Sequence, residues 1–222
     1  MIAGLFGNDH FRILATMTTY SPADPGGRPP GRPREFEIDE ALDKAIIVFS
    51  ERGYHAASIS DLKEALGLTA GSLYKAFKSK KAIFLAAFDR YKQIRDALLD
   101  RELATGTDGR DKILRMLRFY AEASHGESGR RGCLVVGTAI ELAAYDADAA
   151  DRVSRSMART EATFADLIRQ GHADCSVSRS VDPDATARLL LSVTQGLRVL
   201  GKTGPDRDRA FSVIEAAMRL LD

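Results

Sequence analysis

Lys75, Lys78, Lys80 and Lys81 stand close together in "GLTAGSLYKAFKSKKAIF", Gly67 to Phe84, a stretch without a single acid. Ammonium groups set among hydroxyls can hold phosphate, and Thr69, Ser72 and Tyr74 supply those hydroxyls. Elsewhere the reactive side chains are dispersed. His10, His55, His125 and His172 lie far apart, and there is no Gly-x-Ser-x-Gly or phosphate loop. No paired carboxylates fall on a buried face, which leaves a small helical enzyme as a remote alternative. His172 and Cys175, spaced as "HADC", lack companion ligands, so neither a metal nor another cofactor is expected. The two cysteines, Cys133 and Cys175, are too few for a disulfide framework and fit a reducing cytosol.

The elements that must position the lysines can be read from periodicity and caps. Leu42, Ala45, Ile46 and Phe49 share one face of a helix from Ile38 to Arg52, with Gly53 as its stop. Ser58, with Asp61 three residues on, caps a short helix that Gly67 ends. Thr69 caps a second, Ala70 to Phe77, and two short helices around a glycine turn make a helix-turn-helix. Ser79 caps a longer helix to about Leu103. Beyond "ATGTDGRD", helical spacing resumes through Ile113, Leu114, Leu117 and Tyr120 until "GESGRRG" breaks it. "CLVVGTAIELAAY" reads as a helix buried on several sides, followed by a long amphipathic helix, Ala147 to Gln170. Two last helices span Ala185 to Leu200 and Arg207 to Leu221. The expected fold is all-α with about nine helices.

A hydrophobic content of 45% over 222 residues suffices for a folded core. The formal net charge of +1 gives no global field, so any polyanion binding must come from local clustering. In "MIAGLFGNDHFRILATM" polar residues interrupt the apolar run and no basic region precedes it. Neither a signal peptide nor a membrane span is expected, and the location is taken as cytoplasmic. Met17 is an alternative start to Met1, and "TTYSPADPGGRPPGRP" has the composition of a flexible arm. The division is an arm over 1–34, a helix-turn-helix domain over 35–82 and a helical domain over 83–222.

A helix-turn-helix presents the start of its second helix to the major groove of DNA. Here that start carries Thr69, Ala70, Gly71, Ser72 and Lys75, with Ala70 and Gly71 small enough to allow close approach. Ser58, Tyr74, Lys78 and Lys80 complete the candidate surface, while Arg32 and Arg34 on the arm can enter the adjacent minor groove. Lys63 and Lys81 are expected to add phosphate affinity without sequence information.

Residues Phe36 to about Tyr91 resemble the DNA-binding region of the TetR family of bacterial transcriptional regulators. The carriers are "ALDKAIIVFSERGYHAASISDLKEALGLTAGSLYKAFKSKKAIF", in which Gly71, Leu73, Tyr74, Phe77, Ser79, Lys80 and Phe84 match in order and spacing. The resemblance implies DNA contacts from Thr69, Ser72, Tyr74 and Lys80, and a C-terminal domain that dimerises and holds an inducer. It implies a ligand-responsive repressor binding a palindromic operator as a homodimer, with a nonspecific architectural DNA binder as the alternative.

The candidate dimer surface is Leu190, Val193, Leu197, Phe211, Ile214 and Met218, for which intrachain core is the competing reading. Pocket candidates are Met116, Phe119, Tyr120, Cys133, Thr138, Glu141, Phe164 and Gln195, and Glu141 needs a donor, for which Arg130 or Arg131 is available. The "GCL" segment at Cys133 also looks like one found in members that sense electrophiles or oxidants. A helix start and the neighbouring Arg130 and Arg131 would lower its thiol pKa, while the alternative is a buried small hydrophobe.

Overall fold

The computed structural model describes residues 34–222, with side chains from Ile38 onward, and no strand occurs among them. Arg32 and the arm up to residue 33 lie outside the described residues; Arg34, which the sequence reading placed on the arm, instead opens the first helix.

Helix α1 (Arg34–Ala56) buries Ala45, Ile46 and Phe49, the face that the spacing marks out. Gly53 breaks it with φ 79 and ψ 174, a region that side-chain-bearing residues avoid, and a last turn follows. Helices α2 (Ile59–Leu66) and α3 (Ala70–Ala76) meet at Gly67, whose φ of 65 gives the left-handed exit. Helix α4 (Lys80–Ala104) starts at a Ser79 cap. Its buried face serves two cores: Ile83, Phe84, Ala87, Phe88 and Tyr91 pack with α1 to α3, and Leu99 packs in a second cluster further on. Arg90 of α4 ties to Asp43 at 2.6 Å and Asp39 at 2.8 Å on α1, which locks this crossing.

The second cluster is built from α5 (Gly109–Glu122), α8 (Ala147–Ala173), α9 (Pro183–Leu200) and α10 (Arg207–Met218). Between α5 and α8 run α6 (Gly126–Arg131) and α7 (Leu134–Glu141). Helix α6 corrects the sequence reading, since "GESGRRG" forms a short helix and does not simply break one. Gly129 is buried there, where an added Cβ would meet the Ser124 backbone at 2.7 Å. Helix α7 is also only partly covered. Leu134, Val135 and Thr138 are buried, whereas Ile140 and Tyr145 just beyond are well exposed. The head core includes Leu134, Val135, Leu142, Ala149 and Val153, so α7 and the start of α8 join the core of the head, with α7 lying against α1.

Candidate nucleic-acid interface and ligand chamber

The helix-turn-helix is held by its own caps. Ser58 Oγ accepts from the Asp61 N–H at 3.0 Å while Asp61 accepts from the Ser58 N–H at 2.7 Å, a reciprocal capping box. The Ser58 N–H and hydroxyl, with Arg52 at 2.8 Å, hold the Asp61 carboxyl below its usual pKa. Thr69 Oγ1 accepts from the Ser72 N–H at 3.2 Å and donates to Ser72 Oγ at 3.1 Å. Leu73 is fully buried and anchors α3, which leaves Thr69, Gly71, Ser72, Tyr74 and Lys75 exposed along its outer face and Ala70 part-buried. Tyr74 is 50% exposed, and Lys78 continues the exposed surface beyond the helix end.

Lys80 and Lys81 each have a partner within the chain. Lys80 Nζ donates to the His55 carbonyl at 3.3 Å and sits 4.6 Å from the Tyr54 ring centre, keeping N–H groups to spare. Lys81 corrects the sequence reading. Its ammonium lies 2.6 Å from Asp146 and 2.8 Å from Asp148 at the start of α8, so it ties head to body and is withdrawn from the phosphate surface.

Glu141, at the end of α7, also reaches the head. Its Oε2 accepts from the backbone N–H groups of Tyr54 at 2.8 Å and His55 at 3.2 Å. The donors are thus main-chain groups freed by the Gly53 kink, and neither Arg130 nor Arg131 serves. A Cβ on Gly53 would fall 2.1 Å from Glu141 Oε1, so glycine here allows both the turn and the carboxylate's approach. Lys202 Nζ donates to the Ser50 carbonyl at 3.0 Å and Arg131 Nε to Glu51 at 3.1 Å, completing a clasp around the end of α1.

Two cavities flank Cys133. The larger, about 280 Å³, lies beside the clasp and is lined by Cys133, Thr138, Glu141 and Arg198 among others. The smaller, about 30 Å³, is lined by Tyr91, Arg95, Phe119, Tyr120, Thr160, Gln195 and again Cys133 and Arg198. Six of the eight pocket candidates therefore line one or both. Met116 and Phe164 do not: both are wholly buried in the second core, where apolar contact explains them fully.

Sequence reasoning missed Tyr91, Arg95 and Arg198, although Tyr91 and Arg95 share a helix face at i,i+4 and Gln195 and Arg198 at i,i+3. Cys133 Sγ lies 3.7 Å from Tyr91 Oη. Burial works against ionisation, but the Arg198 guanidinium, then the Val136 N–H and the Tyr91 hydroxyl, hold the thiol below its ordinary value. Arg131 is engaged with glutamates, so the cation beside the thiol is Arg198. Burial, with the thiol next to it, pushes the Tyr91 hydroxyl up. Burial, opposed by Tyr91 and reinforced by Arg198, pulls the Arg95 guanidinium down.

On the last two helices, Leu190, Leu197 and Ile214 are 0%, 4% and 2% exposed, with Val193, Phe211 and Met218 packed against the same intrachain core. The expected interface thus falls on the inward face. Leu189, Val199 and Leu200 on α9 and Leu220 just beyond α10 are each exposed by 41% or more, although Val199 also lines the larger cavity; Gly196 adds open surface on α9.

A short capped helix pair with an exposed second helix carrying Lys75, joined through one long helix to an all-α body with two clefts, defines a helix-turn-helix transcriptional regulator. Residues 41–87 match the model for bacterial regulatory proteins of the tetR family, and residues 109–217 match the tetracyclin repressor-like C-terminal domain. The chain belongs to the TetR family. It is similar to the HTH-type transcriptional repressor ComR of Escherichia coli (strain K12), with 27% identity over 86% of this chain and 91% of that protein. A similar match, 27% identical over 86% of this chain and 100% of the other, is to the HTH-type transcriptional regulator YezE of Bacillus subtilis (strain 168). Among solved structures, a cysteine mutant of the TetR family regulator CifR complexed with 26-bp operator DNA superposes with a TM-score of 0.74. That pair is 30% identical, covering 86% of this chain and 98% of the other.

Proposed function

We propose that the protein is a ligand-responsive repressor that binds a palindromic operator as a homodimer in the cytoplasm, with no catalytic role. The start of α3 enters the major groove, where Lys75 reads base edges, while Thr69, Ser72, Tyr74, Lys78 and the spare donors of Lys80 hold phosphates. Arg32 and Arg34 reach the neighbouring minor groove. Two heads must stand roughly 34–36 Å apart to read successive half-sites, which requires a rigid two-fold pair. Exposed apolar residues on and beyond the last two helices, Leu189 and Leu200 on α9 and Leu220 after α10, supply the contact.

The observation that carries the ligand response is α7 itself. Its N-cap, Cys133, borders both cavities, and its last residue, Glu141, clasps the end of α1. Eight helical residues span about 12 Å, so a ligand that displaces one end of α7 moves the other and with it the head. A coupling of about 1–3 kcal/mol would change operator affinity roughly 5–150-fold. No described helix is long and apolar enough to cross a membrane, and none is needed for this role.

Selection of genomic fragments on the purified protein, followed by footprinting, tests the reading. A protected site with two-fold symmetry and half-sites about one helical turn apart is expected. Protection without symmetry or preferred sequence would support the architectural alternative.

A further inference from the structure

We propose that the smaller cavity receives the carboxylate of a compact organic acid between Arg95 and Arg198, and that this acid is the effector. The proposal rests on the ligand-responsive reading above and names the ligand's class.

Arg198 is only 3% exposed. Its Nη2 donates to the Gly132 carbonyl at 2.7 Å, but Nη1 is buried without an acceptor. A buried donor on a charged group left without a partner is costly, and that cost falls when an anion enters. Arg95 lines the same cavity, its guanidinium carbon 3.9 Å from the Phe119 ring centre. The one carboxylate on the cavity wall, Asp96, is paired with Lys92 at 2.8 Å. Two guanidinium charges therefore face one space, and a Cys133 thiolate would offset only one of them. The unmatched remainder calls for a monoanion.

Shape and size favour a carboxylate. A guanidinium presents two parallel N–H donors that match two carboxylate oxygens. A water-sized group needs about 10–15 Å³ of such space. A cavity of about 30 Å³ thus admits about two oxygens. Leu99, Phe119, Val135 and Met157 complete an apolar wall around the carboxylate, so any tail must lie outside this cavity. The larger cavity, which shares Cys133 and Arg198 in its lining, is the nearest space of a size to take such a tail. Arg198 follows α9 to the clasp lysine, Lys202, so an anion drawn to it acts on the elements that hold α1.

Titration calorimetry of the full chain with acetate, hexanoate, benzoate, their amides and inorganic phosphate tests this. At least one acid should bind saturably, its amide about tenfold to a hundredfold more weakly, and phosphate not at all. Arg198→Gln and Arg95→Gln should each weaken the acid about tenfold or more, the second serving if the first does not fold. The same acid should lower operator affinity. The proposal is overturned if no acid binds, if amides bind as well as acids, if both variants bind normally, or if binding leaves operator affinity unchanged. Operator binding measured without any acid separates this outcome from failure of the repressor reading, which would leave acid binding intact.

Discussion

Replacing Gly53 with alanine probes the joint between body and head. The φ of 79 and ψ of 174 lie in a region nearly reserved for glycine, and occupying it with another residue costs about 1–3 kcal/mol. The new Cβ would also fall 2.1 Å from Glu141 Oε1, so the carboxylate must withdraw from the Tyr54 and His55 N–H groups. Hydrogen bonds to a charged group contribute about 1.5–3 kcal/mol, and the low end applies because this site is only part-buried. Together Gly53→Ala should destabilise by about 3–4 kcal/mol. For a chain of this size that lowers Tm by roughly 10 °C.

Glu141→Ala alone removes only the second contribution, about 1.5 kcal/mol. The double variant should therefore be less damaged than the sum of the two by about that amount. Thermal melts of the four proteins, with operator affinity measured beside them, complete the cycle. Strict additivity, or a Gly53→Ala melt within about 2 °C of the parent, would refute the clasp.

Lys78→Ala should weaken all DNA uniformly and reduce the salt slope by about one, whereas Lys81→Ala should leave both unchanged because Asp146 and Asp148 hold that ammonium; matching slopes for the two variants would contradict the assignment. Lys75→Ala should cost about 1–3 kcal/mol on the operator and relax preference at one base pair, read by binding to a panel of single-base operator variants. Phe164→Ala should destabilise by about 3–5 kcal/mol as a core truncation, and a denaturation midpoint near the parent's would return Phe164 to the pocket. Acid should also weaken the fold. The Lys81 ammonium holds the Asp146 carboxyl, and backbone N–H groups hold the Asp182 carboxyl, below the ordinary value of 3.8. Depressed folded values mean that their stabilisation is full above that value and is lost as pH falls through the lower folded ones. Urea midpoints taken from about pH 5 to about pH 2 should therefore decline.

The head was legible because its signals are local. Ser58 and Asp61, Gly67, Thr69 and Ser79 each act within a few residues, and the structure uses each as a cap or turn in that way. The body was less so, because its contacts join residues far apart in sequence. Lys81 belongs to a basic run in the sequence, yet its partners lie some sixty residues on, at Asp146 and Asp148. Glu141 visibly needed a donor, but main-chain groups beyond a distant glycine provide it. For the last two helices periodicity found the apolar stripe correctly. It could not tell the face buried within the chain, with Leu190 and Ile214, from the outward one with Leu189 and Leu220. Arg198 was hidden for the same reason, as an arginine within an apolar helix whose neighbours come from α4, α5 and α7.

The central claim, sequence-specific DNA binding by the α2–α3 head, is tested most directly by fluorescence anisotropy at two salt concentrations. The best-bound genomic fragment would be compared with a random duplex of equal length. A preference of about a thousandfold or more that survives the higher salt is the result expected here. Equal affinity for the two duplexes, falling steeply together as salt rises, would contradict it.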